Sequence, residues 1–519
     1  MRHEGGGLGA WSWAVALAAL PALETSVLLA AFFGRTLLDH TPAIVNDAVD
    51  YWLEARAFAH AGFEGGYFTI DERPAPVSFV HFGSHGPLFP MLHGALGRVL
   101  GWHPCSIPVF HVGFVTAALL FFARRTPLDR RGRALTVLCL GSFWPLLFLL
   151  PTSLQEGLHM ALAILLAPAF RALLDGDPLP RAMRACVLAI LVLASLVRPS
   201  WALLLPAALG LLSGATSWRR GIVPATAGLL VGAGLVALFA GTAAPFGREE
   251  FFFVKAARLQ ETVSALAARA ALNARRFVQA GMALEIRSRF LALALALSSA
   301  GLALRARPRR ELAFQAYNLG SILLATLFTY SFGRWADYRV LSAPLLLTTL
   351  LLASSRATMP RRLAVLVLLA QLASLGSFMA GFPGLRGSFR YDAGRIDVFG
   401  QAARGAVVFD AGQDPWCNTL VSVNPPYFHP EMVGLPPGIG VTMLFGPPAV
   451  SPPRLRSQYV LLDAEHPERW SLGQPTLTRI TPGRVRITVA DWLSLDLAPL
   501  ASTPIGTLYR NLDASCPGR

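Results

Sequence analysis

The chain has 519 residues, of which 54% are hydrophobic and 14% charged, and it carries a formal net charge of +15. Its mean hydropathy is +0.50. A soluble domain carries roughly 25% charged residues, so the composition excludes an ordinary soluble protein and defines an integral membrane protein. The surplus arginines sit in short clusters between apolar runs, as in cytoplasmic membrane loops, rather than in a surface built for nucleic acid.

Apolar runs near the spanning length of roughly 20 residues fall at 11–33, 104–123, 134–151, 157–174, 184–198, 200–214, 221–242, 288–304, 312–330, 339–353 and 362–380. The first is too long for a signal-peptide core and other spans follow, so it reads as the first transmembrane helix. The two short runs joined at Val197-Arg198-Pro199-Ser200 read as tilted or re-entrant helices, giving about nine to eleven spans. Arg124, Arg125, Arg130, Arg131 and Arg133 follow the second run. Further clusters stand at Arg181 and Arg184, at Arg219 and Arg220, at Arg305, Arg307, Arg309 and Arg310, and at Arg356, Arg361 and Arg362. These alternate connections are cytoplasmic by the positive-inside rule. The N-terminus is then cytoplasmic, and the loops 34–103 and 243–287, the turn 330–339 and the tail lie outside.

The 243–287 loop mixes Glu249, Glu250, Lys255, Arg258, Glu261 and several arginines with alanine and leucine. It reads as helix lying on the membrane surface or as a solvated connector. Beyond residue 380 the composition turns to Pro, Gly, Asp and Asn. Runs at Ala406–Phe409, Tyr459–Leu462, Arg484–Val489 and Ile505–Tyr509 have strand character. The expected division is a transmembrane domain over 1–380, including both outer loops, and a small extracytoplasmic β-rich or α/β domain over 381–519. Cys139 and Cys186 fall in apolar spans; Cys417 and Cys516 flank the tail and pair if it faces an oxidising compartment.

Charged groups at a membrane surface are costly and are retained for work. Asp47 and Asp50 open an amphipathic segment and share one helical face, so one of them suits a general base at the outer surface. The competing reading is a helix cap by Asn46 or Asp47. Tyr51 follows directly. His81 and His85 lie in a Gly- and Pro-containing loop. They suit a phosphate contact, a structural loop role or, with the two aspartates, a metal. Arg198, Arg334 and Arg339 stand at the outer face against the positive-inside trend and suit phosphate; snorkelling, or an Arg334–Asp337 pair, is the other reading. Glu156 in an outer turn and Arg258 in the 243–287 loop are added as substrate-binding candidates, and Glu24 reads as an interhelical polar contact. No GxxxxGK[ST] loop and no strand–GxGxxG–helix is present, which argues against a nucleotide-driven machine.

In order and topology these elements resemble the polytopic GT-C glycosyltransferases, in particular the branch with protein O-mannosyltransferases and the lipid A aminoarabinose transferase. The resemblance rests on Asn46-Asp47-Ala48-Val49-Asp50-Tyr51 after the first helix, on His85-Gly86-Pro87-Leu88, on Arg198-Pro199, and on Gly333-Arg334 with Tyr338-Arg339 ahead of Pro344. It covers roughly residues 1–380. Two departures stand out: the second acid is displaced to Asp50, and Gly86 replaces the first proline of a Pro-Pro-Leu element.

The resemblance implies a GT-C-like bundle and a polyprenyl-phosphate-linked sugar donor. It implies transfer with inversion to a glycan, lipid or protein acceptor at the outer face of the cytoplasmic membrane. Asp47 would be the base, and His85, Arg198, Arg334 or Arg339 would stabilise the leaving phosphate. No cofactor is expected, with a divalent metal left open. The alternatives are a transporter or flippase of a lipid-linked sugar and a non-catalytic envelope scaffold. The expected geometry brings the acidic segment and the scattered guanidiniums to one pocket at the outer rim of the bilayer.

Overall fold

The computed structural model describes residues 8–39, 47–65, 69–75, 83, 85–214, 218–243, 263–279, 309–329, 339–385, 393–423, 429–444, 454–463, 476–489 and 493–516. In chain order the helices are α1 (Leu8–Phe33), α2 (Asp47–Ala61), α3 (Leu88–Leu100), α4 (Ser106–Arg125) and α5 (Arg130–Gly141). Next come α6 (Trp144–Leu149), α7 (Glu156–Asp175), α8 (Arg181–Val197), α9 (Leu205–Leu212) and α10 (Trp218–Thr242). The last are α11 (Val263–Gln279), α12 (Arg309–Thr329), α13 (Ser342–Ala353), α14 (Thr358–Leu385) and α15 (Ala393–Ala406). The strands are β1 (Thr69–Ile70), β2 (Thr419–Val423), β3 (Gly440–Leu444), β4 (Tyr459–Asp463), β5 (Thr476–Thr481), β6 (Arg484–Val489), β7 (Leu493–Thr503) and β8 (Gly506–Asn511). Among the described residues four helices are long and apolar enough to cross a membrane: Trp11–Phe33, Ser106–Arg125, Glu156–Asp175 and Arg220–Thr242. The molecule is thus mostly helical, with apolar helices and a β-rich sheet toward the C-terminus.

The chain forms two compact units. The first comprises Met1–His40, Pro108–Ala237 and Phe251–Gly387. Helices α7 and α13 are its centre and are buried along nearly their whole length. Helix α7 stops at Gly176, whose φ of +87° takes the left-handed terminus that glycine adopts without Cβ strain. Arg171 near that end donates to Asp175, to both carboxylate oxygens of Glu311 on α12 and to Leu351 O on α13, while Ser355 Oγ donates to Glu311. These bonds pin three helices together.

Two sequence expectations are corrected here. The run 134–151 is not one helix: α5 ends at Gly141 and α6 starts at Trp144. Pro145 lacks the N–H that would bond Gly141 O and its ring would clash there. The run 200–214 opens as a 3-10 turn, Pro199–Leu204, and becomes α-helical only at Leu205. Part of the 243–287 loop is described, and it forms the helix α11; Arg258 and the run 288–304 lie outside the described residues.

The second unit comprises Thr41–Ile107, Leu238–Glu250 and Ser388–Arg519. Its sheet runs β1-β3-β2-β4-β8-β7-β6-β5. The β1-β3-β2-β4 half is parallel and the β4-β8-β7-β6-β5 half antiparallel. One sheet face buries Val421, Val423, Leu444, Val460 and Leu462 together with Ile487, Val489, Leu493, Leu495 and Leu497. Cys417 and Cys516 form a disulfide that ties the start of β2 to the chain end. Ala406–Phe409, expected as a strand, instead closes α15 and continues without regular structure.

Candidate active site

Helix α2 carries the acids. A period of 3.6 puts Asp47, Asp50 and Glu54 on one face, and all three fall within two turns. Asp50 and Glu54 are each 1% exposed, whereas Asp47 is half-buried. Asp50 Oδ2 lies 3.2 Å from His85 Nδ1, and Glu54 Oε1 accepts the Gly83 N–H at 2.7 Å. The Tyr51 ring packs against His85 at 4.5 Å and Phe89 at 5.1 Å. Burial, and then the charges of Glu54 and Asp47, raises the Asp50 pKa well above the usual carboxylate range.

The loop that delivers His85 turns at Gly86. Its φ is +77°, a conformation barred to proline, whose ring fixes φ near −65°. Glycine at this point is therefore a requirement of the turn. Helix α3 then packs tightly on α2: a Cβ on Gly94 would lie 2.6 Å from Ala55 O and 2.8 Å from Phe58 Cβ.

A second cluster stands in the first unit. Glu156 is the first residue of α7 and is fully buried. Arg198 Nη2 donates to Glu156 Oε1 at 2.7 Å, and Arg339 Nε lies 3.4 Å from the same oxygen. Arg198 follows α8 in extended conformation, φ −146° and ψ 116°, as the following Pro199 demands. Arg339 opens the short turn before α13, where Ser342 Oγ donates to its carbonyl at 2.6 Å. Beside them the Trp201 indole donates to His159 Nδ1 at 2.9 Å, and His111 packs so closely on Gly157 that a Cβ there would meet its ring. Arg198, His159, Trp201, Asn318 and Pro344 line a cavity of about 20 Å³, room for about one water. Two guanidiniums thus face the one Glu156 carboxylate at the head of α7.

Of the sequence candidates, Asp50, His85 and Tyr51 meet at α2 with Asp47 beside them, and Glu156, Arg198 and Arg339 meet at the head of α7. His81, Arg258, Arg334 and Asp337 lie outside the described residues. Glu24 lies against Gly141 of α5. Sequence reading missed Glu54, four residues beyond Asp50, and His159, three beyond Glu156; helical spacing alone would have exposed both. Among the described residues no group of three or more His, Cys, Asp or Glu is arranged to hold a metal ion.

No protein-family model matches the chain, and no curated protein sequence matches it. Among solved structures, the crystal structure of the Archaeoglobus fulgidus oligosaccharyltransferase tethered with an acceptor peptide aligns at 12% identity and a TM-score of 0.47, over 95% of this chain and 76% of that one.

Proposed function

We propose that the chain is a GT-C-like membrane glycosyltransferase that moves a sugar from a polyprenyl-phosphate-linked donor to an acceptor at the outer face of the cytoplasmic membrane. The observation that carries this reading is the acid face of α2, with a buried Asp50 held by His85 beside a half-buried Asp47. Two carboxyls in unlike surroundings divide into unlike roles. Asp47 is the group an acceptor can reach, and it takes the acceptor proton as the acceptor oxygen or nitrogen bonds to the anomeric carbon. The bond from that carbon to the phosphate oxygen breaks on the opposite face, which inverts the centre. Asp50, retained as a protonated or hydrogen-bonded neighbour, fixes the start of the helix.

On the grounds of the sequence resemblance, Arg198 and Arg339 are assigned to the departing phosphate. A polyprenyl phosphodiester carries one negative charge, and planar guanidiniums suit phosphate. Charge grows on that phosphate as the sugar leaves, so fixed guanidiniums stabilise the transition state more than the ground state. Tyr51 and Glu156 position their neighbours; His81, Arg258 and Arg334 are kept as substrate-binding residues on sequence grounds.

The orientation proposed is N-terminus cytoplasmic, with the sheet domain outside. The arginine clusters support it, and the Cys417–Cys516 bridge suits an oxidising compartment. The reaction is tested with purified protein in detergent, a panel of polyprenyl-phosphate sugars and candidate acceptors, comparing wild type with Asp47→Asn. Loss of transfer in a normally folded variant is expected, and full transfer would remove Asp47 from the mechanism. Labelling of a single cysteine introduced at an exposed position of the tail tests orientation: reaction only from the cytoplasmic side overturns it.

A further inference from the structure

The acid face of α2 has a reverse side, and that side is held. Arg56 falls opposite Asp47 on the helix. Its Nη1 donates to Val433 O at 2.8 Å and to Leu435 O at 2.7 Å, and its guanidinium lies over the Trp52 ring, 5.2 Å from the centroid. Val433 belongs to the short turn Pro430–Gly434, which is fastened from both ends. His429, just before it, pairs with Asp463 at the end of β4, with Nε2 to Oδ2 at 2.7 Å and both side chains buried. Glu431 pairs with Arg395 on α15 at 2.9 Å. Gly434 lies flat on Gly400 of the same helix, so that a Cβ on Gly434 would come within 2.9 Å of Ile396 O. The nearby segment 69–75 is tied in as well. Strand β1 pairs with β3, and the Glu72 carboxylate accepts from Arg456 N, Ser457 N and Ser457 Oγ at 2.6–2.8 Å. All these groups belong to the second unit.

We propose that Arg56 is a positioning residue and that the C-terminal sheet domain is the mount that fixes the rotation of the acid helix, through the turn 430–435. The catalytic consequence rests on the glycosyl-transfer reading above; the mechanical one does not. Two backbone carbonyls held by salt-bridged and glycine-packed neighbours have no freedom to follow a wandering helix. The single guanidinium nitrogen they share therefore sets the angle at which Asp47 and Asp50 are presented. A misplacement of about 1 Å at a reacting group costs about 10²-fold in rate.

The test uses the full chain in detergent with Arg56→Met, Arg56→Lys and Gly434→Ala. Methionine keeps an apolar stem against Trp52 and removes the donors. The lysine ammonium can still give two bonds. The Gly434 change pushes the turn off α15 while leaving Arg56 in place. Hydrogen exchange of the α2 amides is expected to quicken about tenfold in Arg56→Met and Gly434→Ala, with α7 unchanged. With a polyprenyl-phosphate sugar as donor, kcat should fall about 10–100-fold while the donor KM stays within about twofold. Arg56→Lys should restore most of both. Wild-type exchange in α2 of Arg56→Met, an equal rise in both units, or an unchanged kcat despite faster α2 exchange would each overturn the proposal. If Asp47→Asn transfers sugar normally, the reaction reading fails on its own, and the exchange data still decide whether the domain is a mount.

Discussion

His85 Nδ1 stands 3.2 Å from Asp50 Oδ2, whereas Asp50 Oδ1 is buried with no hydrogen-bond partner among the described residues. A carboxyl placed this way, beside Glu54 and Asp47, is easier to keep protonated than charged.

That asymmetry predicts a pH dependence. With its folded pKa raised, chiefly by burial, Asp50 keeps a proton that the unfolded chain gives up near about pH 3.9. Its contribution to stability is whole below that pH and shrinks as pH climbs toward the folded value, because there the folded state binds more protons than the unfolded one. Asp50→Asn removes the titration. Urea unfolding between about pH 4 and about pH 8 should therefore show a smaller decline in the variant than in wild type. Identical slopes would mean that the carboxyl is charged and compensated.

Arg198→Gln and Arg339→Gln are each expected to lower the transfer rate by about 10²–10³, the loss seen when one fixed donor to a developing oxyanion is removed. Steady-state transfer assays with a polyprenyl-phosphate sugar check this. Arg198→Lys should be nearly as poor, because a point ammonium does not reproduce the planar fork that meets Glu156 and an anion together. Retained activity in all three variants would remove the cluster from the reaction.

The Arg171–Glu311 pair is a matter of stability. Both side chains are almost fully buried, and removing Glu311 strips the buried guanidinium of one of its two carboxylates, Asp175 being the other. Glu311→Leu should cost about 3–5 kcal/mol, and the double change Arg171→Leu with Glu311→Leu should recover part of that loss, as read from thermal unfolding in detergent. The recovery is partial because Asp175 then loses the Arg171 guanidinium and keeps only the exposed Arg356 at 4.0 Å.

Replacing Cys417 and Cys516 by serine opens a loop with a sequence separation of 99 and should cost the sheet domain about 2–5 kcal/mol. Labelling of the wild-type thiols at these two positions is expected only after reduction and denaturation. Ready labelling of the untreated protein would show that the bridge does not form in the cell.

Gly94→Ala pushes a methyl against Ala55 O and the neighbouring backbone of α2. Overpacking of this kind costs about 1–3 kcal/mol. Because the strained partner is main chain of the acid helix, the same variant should also slow transfer, a joint effect that unfolding and rate measurements together will detect.

Much of the molecule is set by local pattern. Apolar runs with arginine-rich ends give the membrane helices, because backbone groups in lipid must bond within their own segment and cationic ends resist translocation. The Asp47–Asp50 spacing and the extended Arg198 before Pro199 are likewise local, and so is the turn glycine at Gly86 once its φ is known. What the chain order hides is contact between distant segments. That Thr69–Ile70 would join a sheet whose neighbouring strand begins at Gly440, that Arg198 and Arg339 would both settle on Glu156, and that Arg56 would be satisfied by carbonyls 377 and 379 residues away are decided by burial. Each buried charge needs a partner that can follow it out of water, and which partner arrives depends on how the helices and sheet pack, a relation no local window of residues contains.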